Sequence, residues 1–346
     1  MIVRQGNYTL KLTSHPSIIG NAAVAGKTEG EGPLKNEFDC VFSDDTLGES
    51  SFEKAESALQ REAILRALDK AGKTPSDIDY ILAGDLLNQC IGTSFGIREF
   101  GIPFLGLYGA CSTMALSLGL ASVLVEAGAA RTAIASTSSH YCSAERQFRQ
   151  PLEYGGQRPQ TAQRTATAAG ASVVSAHSQN KPSVAAVTFG KIMDLGIKDA
   201  NNMGAAMAPA AAETISAFFE DTATNPDDYD LVLTGDLGKV GSSLVLDLLQ
   251  KDHNLDISKL HNDCGLLIYD LEKQDVHAGG SGCGCAGSVF NSYILRRLQS
   301  GELKRVLLVA TGALLSPTST LQGESIPSIA HAVLVEAPQE PSGGTQ

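Results

Sequence analysis

Cys111 is the residue of this chain best placed for covalent chemistry. It follows a turn of small residues that starts at Gly106, and it stands at the head of an apolar stretch, Ser112 to Val125, that Gly128 should end. A thiol at a helix N-terminus feels the partial positive charge of unpaired backbone amides, which favours the thiolate and lowers the thiol pKa. The pattern therefore indicates a nucleophile, and the alternative is a buried structural cysteine of low reactivity.

Two neighbouring elements would position that thiol. The stretch from Ser112 to Val125 is apolar on nearly every face, which predicts a helix that is buried all round rather than amphipathic. The run TAIAST, Thr132 to Thr137, lacks helical length and predicts a buried strand.

Upstream, Ser50 or Ser51 could cap a further helix that ends at Gly72. The apolar stripe expected along that helix consists of Ala55, Ala58, Leu59, Leu65 and Leu68.

Composition excludes several classes of function. The 346 residues include 43% hydrophobic ones, enough for a large core in one or two domains. The net charge of −12 argues against a protein that follows nucleic-acid phosphates, so we expect a small-molecule or protein partner and no nucleic acid. No apolar run reaches the roughly 18 residues of a membrane span, and the N-terminus lacks the order of a signal peptide. We therefore expect a soluble, intracellular protein.

The number and spacing of the cysteines indicate reduced thiols rather than a disulfide framework or a metal site. Seven cysteines at irregular spacing in a chain of this length do not form a disulfide framework. Cys283 and Cys285 form a C-x-C pair, without a second Cys/His pair at zinc-finger spacing. We therefore expect no structural zinc and no resident cofactor.

The chain contains an internal repeat. The segment PSDIDYILAGDL, residues 75–86, recurs as PDDYDLVLTGDL, residues 226–237, with seven identities at an offset of 151. Each copy follows a helical stretch, and the Cys111 segment has a counterpart in residues 282–312, where small residues again precede a helix, a glycine and a strand. Two homologous halves imply α/β layers related by a pseudo-twofold axis. The alternative is two unrelated helix–strand units that converged on similar turns.

These features together resemble a known superfamily. A cysteine at a helix head in the first half and the turn GSGCGCAGS in the second are similar to the thiolase and ketoacyl-synthase superfamily. Longer strings, among them IPFLGLYGACST, MGAAMAPAAAETI and AGGSGCGCAGS, resemble the thiolase-like stage V sporulation proteins of spore-forming bacteria. The resemblance implies an α/β fold with five αβαβα layers and two halves related by a pseudo-twofold axis. It also implies a protein that binds dipicolinic acid, pyridine-2,6-dicarboxylate, for uptake into the developing spore.

The sequence departs from the condensing enzymes of the superfamily at two positions. Those enzymes pair the cysteine with a His after a second-half strand and with a His or Asn in the Gly-rich turn. Here Gly235 or Asp236 stands at the first position and Ser281 at the second. A carboxylate beside a thiol raises the thiol pKa, and Ser281 cannot act as a base near neutral pH. We therefore expect a non-catalytic protein, and the alternative is an acyltransferase or condensing enzyme in which Cys111 uses an unrecognised base.

Further polar residues extend the predicted cleft. His140 follows the strand that carries Thr137, so it could face Cys111 or lie on the surface. Asp263 could form a polar wall, face calcium if the ligand arrives as its chelate, or cap a turn. The predicted ligand-binding residues are Cys111, His140, Asp236, Asp263, Ser281 and Cys283.

An arginine-containing segment follows His140. Arginine forks bind carboxylates through two parallel hydrogen bonds, which would suit a dicarboxylate. The alternative is a solvated loop or the rim of a dimer interface. The four arginines are Arg146, Arg149, Arg158 and Arg164.

The expected organisation has four parts and several partners. A polar segment without clear periodicity, 1–49, should wrap the body; the halves are 50–190 and 191–337, and the tail 338–346 should be disordered. The resemblance implies a homodimer paired through the strand near Thr132 to Thr137. It also implies a cytoplasmic protein held peripherally at the spore inner membrane by other stage V sporulation A proteins. A purely structural subunit with a vestigial cleft is a further alternative.

Overall fold

The computed structural model describes residues 1–148 and 158–338. The strands are Ile2–Gln5 (β1), Thr9–Leu12 (β2), Ser17–Ala25 (β3), Cys40–Val41 (β4), Tyr80–Gly84 (β5), Phe104–Gly106 (β6), Thr132–Ser139 (β7), Arg164–Thr165 (β8), Ala168–Ser175 (β9), Ser183–Phe189 (β10), Leu231–Thr234 (β11), His261–Asp263 (β12), Gly280–Ser281 (β13), Arg305–Ala313 (β14) and Ser328–Glu336 (β15). The α-helices are Phe52–Ala71 (α1), Ile91–Ile97 (α2), Thr113–Glu126 (α3), Tyr141–Phe148 (α4), Met203–Thr222 (α5), Gly238–His253 (α6), Cys264–Leu267 (α7), Cys283–Val289 (α8), Leu295–Ser300 (α9) and Pro317–Leu321 (α10). A π-helical turn, Phe290–Ile294, joins α8 to α9.

The elements predicted around Cys111 form where their sequences indicate. The Ser51 hydroxyl accepts a hydrogen bond from the Lys54 backbone N–H at the start of α1, and Gly72 ends that helix in the left-handed conformation. Leu65, expected in the apolar stripe of α1, is instead 43% exposed, and Ile64 is buried in its place. Every residue of α3 is at least partly buried, and all of β7 is buried, so both predictions are confirmed.

The sheet contains the same strand order twice. One group runs β6-β5-β7-β9-β3 and the other β12-β11-β14-β15-β10, and each group has the order 3-2-4-5-1 when its strands are numbered along the chain. The two groups meet at a single pair, Ser183 opposite Ser17. The predicted duplication is therefore confirmed, with β5 and β11 at equivalent positions.

The helices form three layers around the two groups of strands. Helix α1 packs on β3, β7 and β9, whereas α5 packs on β14 and β15 and is covered by α6. Helix α3 contacts strands of both groups and lies beside α8, so these two helices form the central layer. The resulting order is αβαβα, as predicted, and it places the N-terminus of α3 between the halves.

Matching side chains strengthen the equivalence of the halves. Asp79, just before β5, accepts a hydrogen bond from the Arg131 backbone N–H before β7, at 2.6 Å. Asp230, just before β11, accepts one from the Arg305 backbone N–H at the start of β14, at 2.8 Å. Each aspartate therefore connects the second and fourth strands of its group, which accounts for its presence in both copies of the repeat.

The prediction for the first 49 residues is wrong in its central part. Residues 17–25 form β3, which pairs with β9 along its length and reaches β10 at Ser17. This strand, SIIGNAAVA, is built largely from small residues, which give a weak hydrophobic pattern although most of them are buried. The strand order also places β10 in the second group, before the predicted boundary at 190/191. Residues 339–346 of the predicted tail lie outside the described residues.

The structure also corrects the predicted edge for dimer pairing. Strand β7 pairs with β5 on one side and β9 on the other, so both of its edges are occupied. The strand at the end of this group is β6, where Leu105 is 42% exposed. Among the described residues, no helix is long and apolar enough to cross a membrane.

Candidate functional site

Cys111 lies at a sharp turn before α3. Ala110 adopts φ +48°, a left-handed conformation that non-glycine residues seldom take, and the Ser112 and Thr113 hydroxyls donate hydrogen bonds back to the turn. A Cβ atom on Gly312 of β14 would lie 2.2 Å from a carbonyl oxygen of this turn, so glycine is required there. The turn and α3 bring the Cys111 side chain, 5% exposed, against the second half of the molecule.

Of the two candidates for this position, Gly235 and Asp236, it is Asp236 that faces the thiol. It follows β11, is fully buried and interacts directly with the Cys111 side chain. Its Oδ1 accepts a hydrogen bond from the Thr311 hydroxyl at 2.9 Å. Its Oδ2 accepts from the Gly282 backbone N–H at 2.8 Å and from the Ser281 hydroxyl at 3.2 Å. One carboxyl group therefore links the thiol, the Gly-rich turn and β14.

Burial and the Asp236 carboxyl group determine the protonation state of Cys111. Burial, followed by the charge of Asp236, raises the pKa of Cys111 well above its usual value. Burial also raises the pKa of Asp236 to about 7, although the hydrogen bonds it accepts act in the opposite direction. The effect of the helix N-terminus on the thiol is therefore outweighed, and Cys111 remains a thiol near neutral pH.

Ser281 and Cys283 reach the same place through the Gly-rich turn. Strand β13, which contains Ser281, pairs in parallel with β8. Cys283 begins α8, donates a hydrogen bond to the Ser138 carbonyl oxygen at 3.0 Å, and packs in one buried cluster with Cys111 and Ala110. Four of the six predicted residues, Cys111, Asp236, Ser281 and Cys283, are thus brought together.

Asp263 has a structural role instead of forming a wall of the cleft. Its Oδ2 accepts hydrogen bonds from the Thr234 hydroxyl at 2.6 Å and the Leu237 N–H at 2.8 Å, and its Oδ1 accepts from the Gly238 N–H at 3.0 Å. These donors belong to the end of β11 and the start of α6, so the carboxylate holds that connection in place. Both oxygens accept hydrogen bonds from the protein, which accounts for the buried carboxylate without a ligand.

His140 turns away from the thiol. Its Nε2 is 2.6 Å from the Asp45 carbonyl oxygen, its Nδ1 accepts from the Cys142 N–H at 3.2 Å, and its ring packs on Phe52 at 5.3 Å. Burial lowers the pKa of His140, so the ring is neutral at pH 7. The prediction that His140 faces Cys111 is therefore corrected: the side chain joins the N-terminal segment to α1.

The arginines of the segment after His140 that the structure describes contact other residues of the protein. Arg146 forms an ion pair with Glu53, and Arg158 lies 2.9 Å from a carboxylate oxygen of Asp275. The Arg164 guanidinium stacks over the Tyr141 ring at 4.0 Å. Arg149 lies outside the described residues.

Two residues of the site were missed from the sequence. Thr311 carries the hydroxyl that donates to Asp236, and its place near the end of a strand is a signal that could have identified it. Gln163 donates from Nε2 to the carbonyl oxygens of Asp236 and Gly280, both at 2.7 Å, and so joins the two loops of the cleft. Nothing in the local sequence distinguishes Gln163.

The first-half counterpart of Asp236 is Asp85, which has a different environment. Its oxygens accept hydrogen bonds from the Leu87 N–H at 2.7 Å and from the N–H and hydroxyl of Thr93, both at 2.6 Å. Nearby Glu56 is also buried, and burial together with the charge of Asp85 raises the pKa of Glu56 to about 8. Within residues 1–148 and 158–338, no cluster of three or more His, Cys, Asp or Glu side chains could hold a metal ion.

Comparison with known proteins agrees with this geometry. Residues 6–336 match the family model of stage V sporulation protein AD. The stage V sporulation protein AD of Bacillus subtilis (strain 168) is 49% identical over 323 residues, which cover 93% of this chain and 95% of that protein.

Solved condensing enzymes share the fold at low identity. The 3-oxoacyl-acyl-carrier-protein synthase III of Aquifex aeolicus VF5 is 14% identical with a TM-score of 0.56, over 93% of this chain and 99% of that one. A variant of OleA from Xanthomonas campestris is 14% identical with a TM-score of 0.57, over 93% and 98%. The fold is therefore thiolase-like, and the chain belongs to the stage V sporulation protein AD family.

Proposed function

We propose that this protein binds dipicolinic acid in the cleft around Cys111 and serves its uptake into the developing spore without catalysing acyl transfer. The observation that carries the proposal is the contact between the Cys111 thiol and the buried Asp236 carboxyl group. Membership of a sporulation family supports the biological setting. The cleft residues of the proposal are Cys111, Asp236, Ser281 and Cys283.

Acyl transfer from a thioester would require Cys111 to lose its proton to a nearby base. Asp236 instead disfavours the thiolate, because its negative charge raises the pKa of the thiol. The alternative, an acyltransferase or condensing enzyme, relied on His140 as a base near Cys111. Its ring nitrogens instead face Asp45 and Cys142. These contacts support a binding protein over the acyltransferase or condensing-enzyme alternative.

The cleft offers donors suited to a dicarboxylate. Asp236, with a pKa near 7, can hold a proton and donate it in a hydrogen bond to a ligand carboxylate. The Gly282 N–H and the Ser281 hydroxyl donate to Asp236 Oδ2 in this structure, and in the proposal they would turn to the ligand carboxylate once Asp236 is protonated. A rigid planar ligand loses little conformational freedom, so we expect micromolar affinity, on the order of −8 kcal/mol. Calcium would enter as part of the ligand, since the described residues contain no cluster of three or more His, Cys, Asp or Glu side chains for it.

We propose two kinds of protein partner. A second copy would pair along β6, the free edge of the first-half strands, in a homodimer. Other stage V sporulation A proteins would hold the protein peripherally at the spore inner membrane, on its cytoplasmic side. Family membership supports the second suggestion.

The test is calorimetric titration of dipicolinate into wild type, Cys111→Ala, Ser281→Ala and the control Cys40→Ala, with calcium varied. Cys40 is a half-buried thiol on β4, outside the cleft. We expect Ser281→Ala to weaken binding about five-fold or more, and Cys40→Ala to leave it unchanged. Saturable binding that neither cleft substitution alters would place the ligand elsewhere.

A further inference from the structure

We propose that a polar groove between the two halves, separate from the Cys111 cleft and lined by Lys70, Lys181 and Arg296, binds a small multivalent oxyanion. The ligand class is a phosphate or polycarboxylate group whose oxygens these cations would contact. No residue of the Cys111 cleft lines this groove. The proposal is therefore independent of dipicolinate binding in the cleft.

The groove has the dimensions of a small-molecule site. Its volume is about 370 Å³, within the range of ligand pockets in proteins. One wall comes from β3 and the end of α1 in the first half, and the other from the π-helical turn and α9 in the second. A ligand bound here would contact both halves of the repeat.

The charge of the groove is opposite to that of the chain, which has a net charge of −12. Among the lining residues, Asp39 is the one acid, and its oxygens already accept from Lys70 Nζ at 2.5 Å and from the Ala23 N–H at 2.9 Å. Arg296 is shared with Glu37 at 2.9 Å. Lys181 forms no ion pair with any described residue, so its charge is available to an anion.

Two interruptions of regular backbone meet in the groove. Strand β3 shifts register between Ile18 and Gly20, and the second-half helix widens to a π-helical turn at Phe290–Ile294. The Asn21 side-chain amide donates to the Asn291 carbonyl oxygen at 2.6 Å and links the two irregular segments. Strand bulges and π-helical turns both occur frequently at functional sites. The two irregular segments meet beside Lys181, whose charge no ion pair with a described residue compensates. This is a second, independent observation in support of a ligand site.

Inorganic pyrophosphate and citrate serve as probes for titration by calorimetry at low ionic strength and pH 7.5. The variants are Lys181→Ala and Lys181→Glu, and the matched control is Lys251→Ala, an exposed lysine of α6. We expect saturable binding of one or both probes to wild type with a Kd below about 1 mM. Lys181→Ala should weaken it about ten-fold, Lys181→Glu more, and Lys251→Ala less than two-fold.

The two probes identify the chemistry. Preference for pyrophosphate would assign the groove to phosphate groups, and preference for citrate would assign it to carboxylates; either supports the proposal. No saturable binding to wild type up to about 10 mM, or equal affinity in wild type and Lys181→Glu, would overturn it. Circular dichroism of each variant, whose substituted lysine is at least partly solvent-exposed, confirms that the comparison is made between folded proteins.

Discussion

The carboxyl group of Asp236 contacts the thiol of Cys111 across the interface between the two halves. The contact pairs two acidic groups, a thiol and a carboxyl group. Both are buried, and the charge of Asp236 raises the pKa of the thiol, whereas burial raises the pKa of Asp236 against the lowering effect of the hydrogen bond from Cys111. The arrangement favours the protonated thiol near neutral pH, which supports the proposed binding role over acyl transfer.

Dipicolinate binding should weaken as the pH rises. A ligand dianion prefers the protonated form of Asp236, whose pKa is about 7, so that form is abundant at pH 6 and scarce at pH 8. We expect affinity to fall about ten-fold between these values. In Asp236→Asn, whose side chain does not titrate, calorimetry should give an affinity that changes less than two-fold over the same range; an equal slope in both proteins would contradict this role.

Asp236 should also make folding stability depend on pH. Its native pKa of about 7 lies above the usual 3.8, so the folded state binds more protons between pH 4 and pH 7. Stability from this group is present below pH 4 and is lost as the pH rises through 7, at most about 1.4 kcal/mol per unit. Relative to Asp236→Asn, wild type should therefore become less stable across this window in urea unfolding. Parallel curves for the two proteins would refute the assignment.

Asp263→Asn should reduce stability. The substitution places an amide against backbone donors at the start of α6 and removes a buried, fully hydrogen-bonded carboxylate. We expect a loss of about 2–4 kcal/mol in the free energy of unfolding. The dipicolinate affinity of the folded variant should remain within two-fold of wild type. A large loss of affinity with unchanged stability would show that Asp263 belongs to the ligand site.

His140→Ala should act on packing and leave the thiol chemistry unchanged. The ring packs on Phe52 and bonds the Asp45 carbonyl oxygen, so its removal should cost about 1–3 kcal/mol in chemical unfolding. Alkylation of Cys111 should keep the same pH profile, because His140 does not share its proton. A shift of that profile by one pH unit would show that His140 communicates with the thiol.

The proposed homodimer requires the edge of β6. Light scattering of wild type should give twice the 36.1 kDa of one chain, and Gly106→Pro should give the monomer because proline removes a backbone N–H that points away from β5 at the free edge. Thr9→Ala, which changes a buried residue of β2 away from that edge, is the control. A monomeric wild type at micromolar concentration would contradict the pairing.

Local patterns were sufficient for the elements that carry Cys111. The family resemblance narrowed one position to Gly235 or Asp236 and indicated Ser281 at the other, because both are read from short segments with strong turn chemistry. The direction of the His140 ring depends on a carbonyl group 95 residues away, at Asp45. The role of Asp263 depends on backbone donors at the start of α6, and Gln163 joins two loops far apart in the chain. Such long-range contacts leave no local signal, and the small residues of β3 leave only a weak one.

Protection of Cys111 from alkylation by dipicolinate is the most direct test of the cleft assignment. Mass spectrometry can follow modification of Cys111 together with Cys40 and Cys142, which are more exposed and lie outside the cleft. We predict that saturating dipicolinate slows modification of Cys111 about ten-fold and leaves the rates of Cys40 and Cys142 unchanged. An unchanged rate at Cys111 under saturating ligand would show that dipicolinate does not occupy this cleft.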